Sequence, residues 1–93
     1  MVVGLMVWDL HLPGCTSLKE KRMVLKSLKQ RLHNQFSVSV AETDHQDLHQ
    51  RAEIAACVVS TDRRHAASVL SSADRLVADE GRARIIDSYT SFY

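Results

Sequence analysis

The sequence is poor in cysteine, proline and glycine, with two, one and three of them in 93 residues. Cys15 and Cys57 lie far apart, outside any C-x-x-C spacing, which argues against zinc, dithiol and copper-chaperone motifs. Two thiols so placed are expected to be reduced and unpaired. No linker, repeat or low-complexity segment interrupts the chain, so residues 1–93 read as one domain. The formal charge of +1 is no strongly basic signature, and a nucleic-acid role has to rest on how charge is arranged. No apolar run approaches the roughly 20 residues of a membrane span. The start, "MVVGLMVWDLHL", has no basic leader and is interrupted by Asp9, unlike a signal peptide; a cytoplasmic protein with no membrane partner is expected. What is present is a hydrophobic content of 45%, ordinary for a globular chain.

Periodicity gives the elements. Residues 2–12 alternate, with Gly4, Met6, Trp8 and Leu10 on one face and Val3, Leu5, Val7 and Asp9 on the other, which predicts a strand. Pro13-Gly14 stops it. Ser17-Leu18-Lys19-Glu20 is a capping box, in which the Glu20 carboxylate is expected to reach back to the Ser17 amide. A helix to about Asn34 follows, with Leu18, Leu25, Leu28 and Leu32 on one arc. Residues 36–44 alternate again, Phe36, Val38 and Val40 inward, and residues 50–60 form another strand. Thr61 or Asp62 caps a second helix whose stripe is Ala66, Val69, Leu70, Ala73, Leu76 and Val77. Gly81 suits its C′ position, and "RARIIDSYTSFY" reads as a last strand. The order β-α-β-β-α-β predicts an α+β ferredoxin-like sandwich: a four-stranded antiparallel sheet, order 4-1-3-2, with both helices on one face.

That topology brings the start of helix 1, the hairpin between strands 2 and 3, and the end of helix 2 to one rim. The hairpin stretch "ETDHQDLHQRAE" crowds acids, histidines and an arginine together. Lys21 falls in the middle of the leucine arc, where a charge is unwelcome. It is expected to snorkel to the rim and pair with Glu42 or Asp44, in a network that includes His45 and Asp47. Three other readings of the rim stay open. One is an anion or RNA-phosphate site using the helix 1 N-terminus, Lys19, Arg22 and Arg51. Another is a metal site from Asp44, His45, Asp47 and His49, although an i, i+4 histidine pair has no fixed geometry on a hairpin. The last is a catalytic acid–base pair. No residue is assigned a catalytic or metal-binding role, and no cofactor is expected.

Two surfaces remain. Lys19, Arg22, Lys26, Lys29 and His33 make a stripe of one sign along helix 1, which suits a phosphate backbone. Val3, Leu5 and Val7 beside Ala55, Cys57 and Val59 make an apolar patch on the uncovered sheet face, where a partner or a homodimer is expected. The central strands carry Val, Leu, Ala and Cys where RNA-recognition motifs place stacking aromatics. "LPGCTSLKEKR" has one glycine, a poor match for the phosphate-cradling loop of acylphosphatase-like enzymes.

The stretches "LHLPGCTSLKEKR", "VLKSLKQRLHNQFSVSVAETDHQDLHQRAE" and "VVSTDRRH" together closely resemble the YlxP-like family, a bacterial domain of unknown function. The likeness runs over nearly the whole chain and is weakest from Asp74 onward. It implies a ferredoxin-like fold. The family's genes often neighbour those of translation and ribosome maturation, which implies an association with RNA or the ribosome. It carries over no catalytic residue. His49 departs from the aromatic that relatives often hold there, which counts against a metal role for it.

Overall fold

The computed structural model describes residues 1–93. The elements run β1 (Val2–His11), α1 (Leu18–Phe36), β2 (Ser39–Asp44), β3 (Arg51–Ser60), α2 (Arg63–Ala78) and β4 (Arg84–Phe92). The four strands form one sheet, order β2-β3-β1-β4, with every neighbouring pair antiparallel. This is the order 4-1-3-2 read from the opposite edge, and the fold is ferredoxin-like.

Strand alternation decides which residues meet the helices. Met6, Trp8 and Leu10 of β1 and Ala52, Ile54, Ala56 and Val58 of β3 are buried on one side of the sheet. Val24, Leu25, Leu28 and Leu32 of α1 and Ala66, Leu70, Ala73 and Val77 of α2 close over them into a single cluster. Each large side chain fully buried there stabilises the fold by about 1.5–3 kcal/mol. Small residues set the spacing: a Cβ on Gly4 would lie 3.0 Å from Leu70 Cδ1 and 3.2 Å from Val58 Cγ1, so its absence lets α2 sit close on β1. The buried indole of Trp8 donates from Nε1 to Asp74 Oδ1 at 2.9 Å, which satisfies its one polar atom.

The boundaries differ from the sequence reading in four places. First, α1 runs past Asn34 to Phe36 and ends on Ser37, whose φ of 55° turns the chain while its N–H bonds the His33 carbonyl. The strand therefore starts at Ser39 rather than at residue 36. Phe36 still packs on the core, but from the end of the helix. Second, the Ser17 hydroxyl accepts from the Glu20 amide at 3.1 Å, but the Glu20 carboxylate does not return to Ser17. It accepts from the amide and hydroxyl of Thr16 at 3.2 and 2.7 Å. Third, α2 is capped by Asp62 and ends on Asp79 in right-handed backbone. No glycine has positive φ, so Gly81 is not a left-handed cap. Fourth, β4 begins at Arg84, because successive turns through Glu80 and Ala83 carry the chain out of the helix.

Candidate functional site

The rim is centred on Lys21. Its side chain is fully buried, and Nζ donates to Glu42 Oε2 at 2.9 Å, the His45 carbonyl at 2.8 Å and the Arg51 carbonyl at 3.2 Å. One ammonium thus ties α1 to both strands of the hairpin, and a buried charge is tolerated because its donors are met. Asp44 lies outside this arrangement: its Oδ1 accepts from the His45 amide at 2.8 Å, holding His45 at a φ of 63°. The His45 ring stands 4.0 Å from Asp9 and from Asp44. Asp47 and His49 are exposed at the hairpin tip. No three Asp, Glu, His or Cys side chains are grouped to hold a metal ion.

A second buried charge joins α1 to the turn between α2 and β4. The Glu80 carboxylate accepts from Arg31 of α1, from Arg82 Nε and Nη2 at 2.9 Å, and from the Arg82 amide at 2.9 Å. The hydrogen bonds from Arg82 dominate and, with those from Arg31, outweigh burial; they hold its pKa down to about 2. Sequence reading missed this group, and only a charged pair bracketing Gly81 in "DEGR" hints at it. Beside it, Pro13, Cys15, Glu20, Met23 and Arg82 line a cavity of about 470 Å³. Burial, with the nearby Glu20 charge adding to it, pushes the Cys15 thiol up, away from the reactive thiolate. The polar groups around this cavity are already engaged, Arg82 with Glu80 and Glu20 with Thr16.

The basic stripe has a different character. Lys19, Arg22 and Lys26 are exposed and Lys29 is half-buried, and none of the four has an ion-pair partner. Lys26, Lys29, Gln30 and His33 face Val40 across a trough of about 300 Å³, between α1 and the free edge strand β2. Arg51 stands apart from these cations. It opens β3 on the side of the sheet away from α1, and its Nη2 binds both oxygens of Asp9 at 2.9 and 2.8 Å. That pairing neutralises the guanidinium charge locally, although its buried Nε has no hydrogen-bond partner, and it removes Arg51 from the stripe.

The uncovered sheet face is laid out in rows by register. Val3 pairs with Val59, Leu5 with Cys57 and Ser91, and Val7 with Ala55 and Tyr89. The next row is Glu53, Asp9 and Asp87, and the one beyond it Arg51, His11 and Arg84. The apolar rows are therefore bounded at one end by charge. Val59 is 66% exposed, while Val7 is buried between its neighbours.

Comparison with known proteins places the chain. A family model described as "Protein of unknown function (DUF503)" matches residues 3–90. The chain belongs to this family. An uncharacterized protein YlxP of Bacillus subtilis is 47% identical over 47 residues, which is 50% of this chain and 51% of that protein. The match thus spans about half the length of this curated relative. Among solved structures, the de novo design Foldit4 superposes with a TM-score of 0.60 at 9% identity, covering 100% of this chain and 97% of that one. An acylphosphatase from Bacillus subtilis superposes at 0.53 and 15% identity, covering 100% and 86%. A designed ferredoxin-fold protein, LFR1, gives 0.50 and 12%, covering 100% and 83%. At such identities the likeness is one of fold alone. No helix of the chain is long and apolar enough to cross a membrane.

Proposed function

We propose that this member of the family is an RNA-binding module, associated with RNA or the ribosome in the cytoplasm, that holds phosphate backbone along the outer face of α1. The observation that carries the reading is the set of four cations, Lys19, Arg22, Lys26 and Lys29, without one carboxylate partner among them. Elsewhere on a protein with a formal charge of only +1, Lys21, Arg31, Arg51 and Arg82 are matched by acids, while Arg63, Arg64, Arg75 and Arg84, also without an acidic partner, are spread over α2 and β4. Leaving one helix face unmatched concentrates positive potential there. The four charges span about 15 Å of helix axis, so successive side chains can follow a strand of phosphates. The uncovered faces of β1 and β3 carry no aromatic platform, so weak preference among base sequences goes with this reading.

Lys26 and Lys29 point away from the core, so replacing both by glutamine is expected to leave the fold intact. With four phosphates neutralised on a single strand, affinity falls with a log–log salt slope of about −3; the double variant loses roughly 1.4 of that slope. Affinity should drop about equally for oligonucleotides of any sequence. A variant that matches wild type in affinity and slope overturns the assignment to α1.

The uncovered face supports a second reading, self-association. Two copies stacked about a two-fold axis running across the strands bring Val3, Leu5, Val7, Ala55, Cys57 and Val59 together. That axis keeps the Glu53–Asp9–Asp87 row of one copy off its counterpart, whereas an axis along the strands would superpose them. Sedimentation at high micromolar concentration is expected to show a dimer that Leu5→Lys dissociates. A strict monomer removes this reading and leaves the first untouched.

A further inference from the structure

We propose that the trough between α1 and β2 is a ribonucleotide subsite, in which Lys26 and Lys29 take a backbone phosphate and His33 Nε2 accepts a hydrogen bond from the adjoining ribose 2′-hydroxyl. The inference rests on the RNA reading above and adds to it a means of telling RNA from DNA.

The argument starts from the imidazole. His33 Nδ1 lies 3.1 Å from the Val38 carbonyl oxygen. A carbonyl only accepts, so Nδ1 carries the hydrogen and donates it. In the neutral ring Nε2 is then an acceptor, and the bond to a backbone atom fixes its orientation. No protein group is bonded to that nitrogen, and the residue forms part of the trough wall. Every other polar side chain lining the trough is a donor or an amide: Lys26, Lys29 and Gln30. A site with two ammonium groups and one fixed neutral acceptor leaves that acceptor unused by a fully ionised anion, which has no hydrogen to donate. It suits a group that presents an anion and a hydroxyl together. Within a nucleic acid that combination is a phosphate beside a ribose, because deoxyribose lacks the hydroxyl. Spacing agrees with this. Lys26 and Lys29 are three apart on the helix and Lys29 and His33 four apart, which makes them surface neighbours about 5–6 Å from one another. The trough has a volume of about 300 Å³. Val40 supplies an apolar wall opposite. Lys19 and Arg22, further toward the helix start, continue the cationic track for neighbouring phosphates.

The test uses the whole chain and three probes of identical sequence: an unstructured oligouridylate, its 2′-deoxy counterpart and its 2′-O-methyl counterpart. The methyl ether keeps the sugar pucker of RNA but has no hydroxyl hydrogen to donate. Affinities are measured at one salt concentration in mildly alkaline buffer, for wild type and His33→Ala. The expected result is that wild type binds the ribo-oligonucleotide about three- to ten-fold more tightly than either counterpart, the range set by one hydrogen bond. His33→Ala should bring all three to the affinity of the deoxy probe. If wild type binds the three alike, or His33→Ala lowers all three by the same factor, the subsite is wrong and backbone binding alone stands. If wild type binds none of them, the RNA reading falls with it. Should His33→Ala fail to fold, the wild-type comparison of the three probes decides the matter.

Discussion

Lys21→Met should destabilise the fold by about 3–5 kcal/mol. Methionine, one heavy atom shorter, replaces the aliphatic stem of lysine and keeps its fit among the leucines. It leaves the Glu42 carboxylate, whose side chain is 16% exposed, without its ion-pair partner, and the His45 and Arg51 carbonyls without a donor. Stranding a buried charge and acceptors costs far more than an exposed ion pair contributes. Total stability for a chain of this size is about 5–14 kcal/mol, so the variant gives up a large share of it. The melting temperature should fall by at least 10 °C or so, on the order of 4–8 °C per kcal/mol. Replacing both partners, as Lys21→Met with Glu42→Leu, should recover part of the loss, because no charge is then left stranded. A single variant within 1 kcal/mol of wild type would show that the hairpin does not depend on this ammonium.

Glu80→Gln should cost roughly 2 kcal/mol near neutral pH, and the cost should vanish in acid. The carboxylate is nearly buried, while its partners Arg31 and Arg82 are 45% and 53% exposed, so solvent screening holds the cost below the full pKa shift. Its pKa is lowered from 4.5 to about 2 by the Arg82 and Arg31 hydrogen bonds. A lowered folded-state pKa means that the unfolded chain takes up the proton first. The stabilisation is therefore complete above pH 4.5 and is lost as pH falls toward 2. Denaturant titrations of wild type and variant across this window should converge at the acid end. Parallel curves at every pH would contradict a charged Glu80 holding α1 to the α2–β4 turn.

The fold is legible in this sequence because its strands and helices keep different hydrophobic periods and their order admits one common topology. The ends of elements are less so. At Ser37, apolar Phe36 and Val38 flank a serine as they would in a strand, and only the left-handed backbone there separates helix from strand. At Gly81, the glycine is a sound sequence signal for a helix cap, but the Glu80 carboxylate and the turns around it end α2 instead. Lys21 stands out in sequence because a charge at the centre of an apolar arc needs a partner, and topology puts only the hairpin within reach. The Glu80 group joins Arg31 of α1 to residues 80 and 82 of the α2–β4 turn, and no local pattern announces such a meeting. Arg51 misleads for the same reason: strand parity sends it to the uncovered face and to Asp9, and one residue of register decides between that face and the other.

The unmatched cations of α1 are the centre of the functional account, and salt dependence tests them most directly. The measurement is the affinity of the wild-type chain for an unstructured oligoribonucleotide across a series of salt concentrations. The account predicts binding that weakens with a log–log slope of about −3, one counterion term for each of Lys19, Arg22, Lys26 and Lys29. Binding that is absent at the lowest salt, or indifferent to salt, would contradict it.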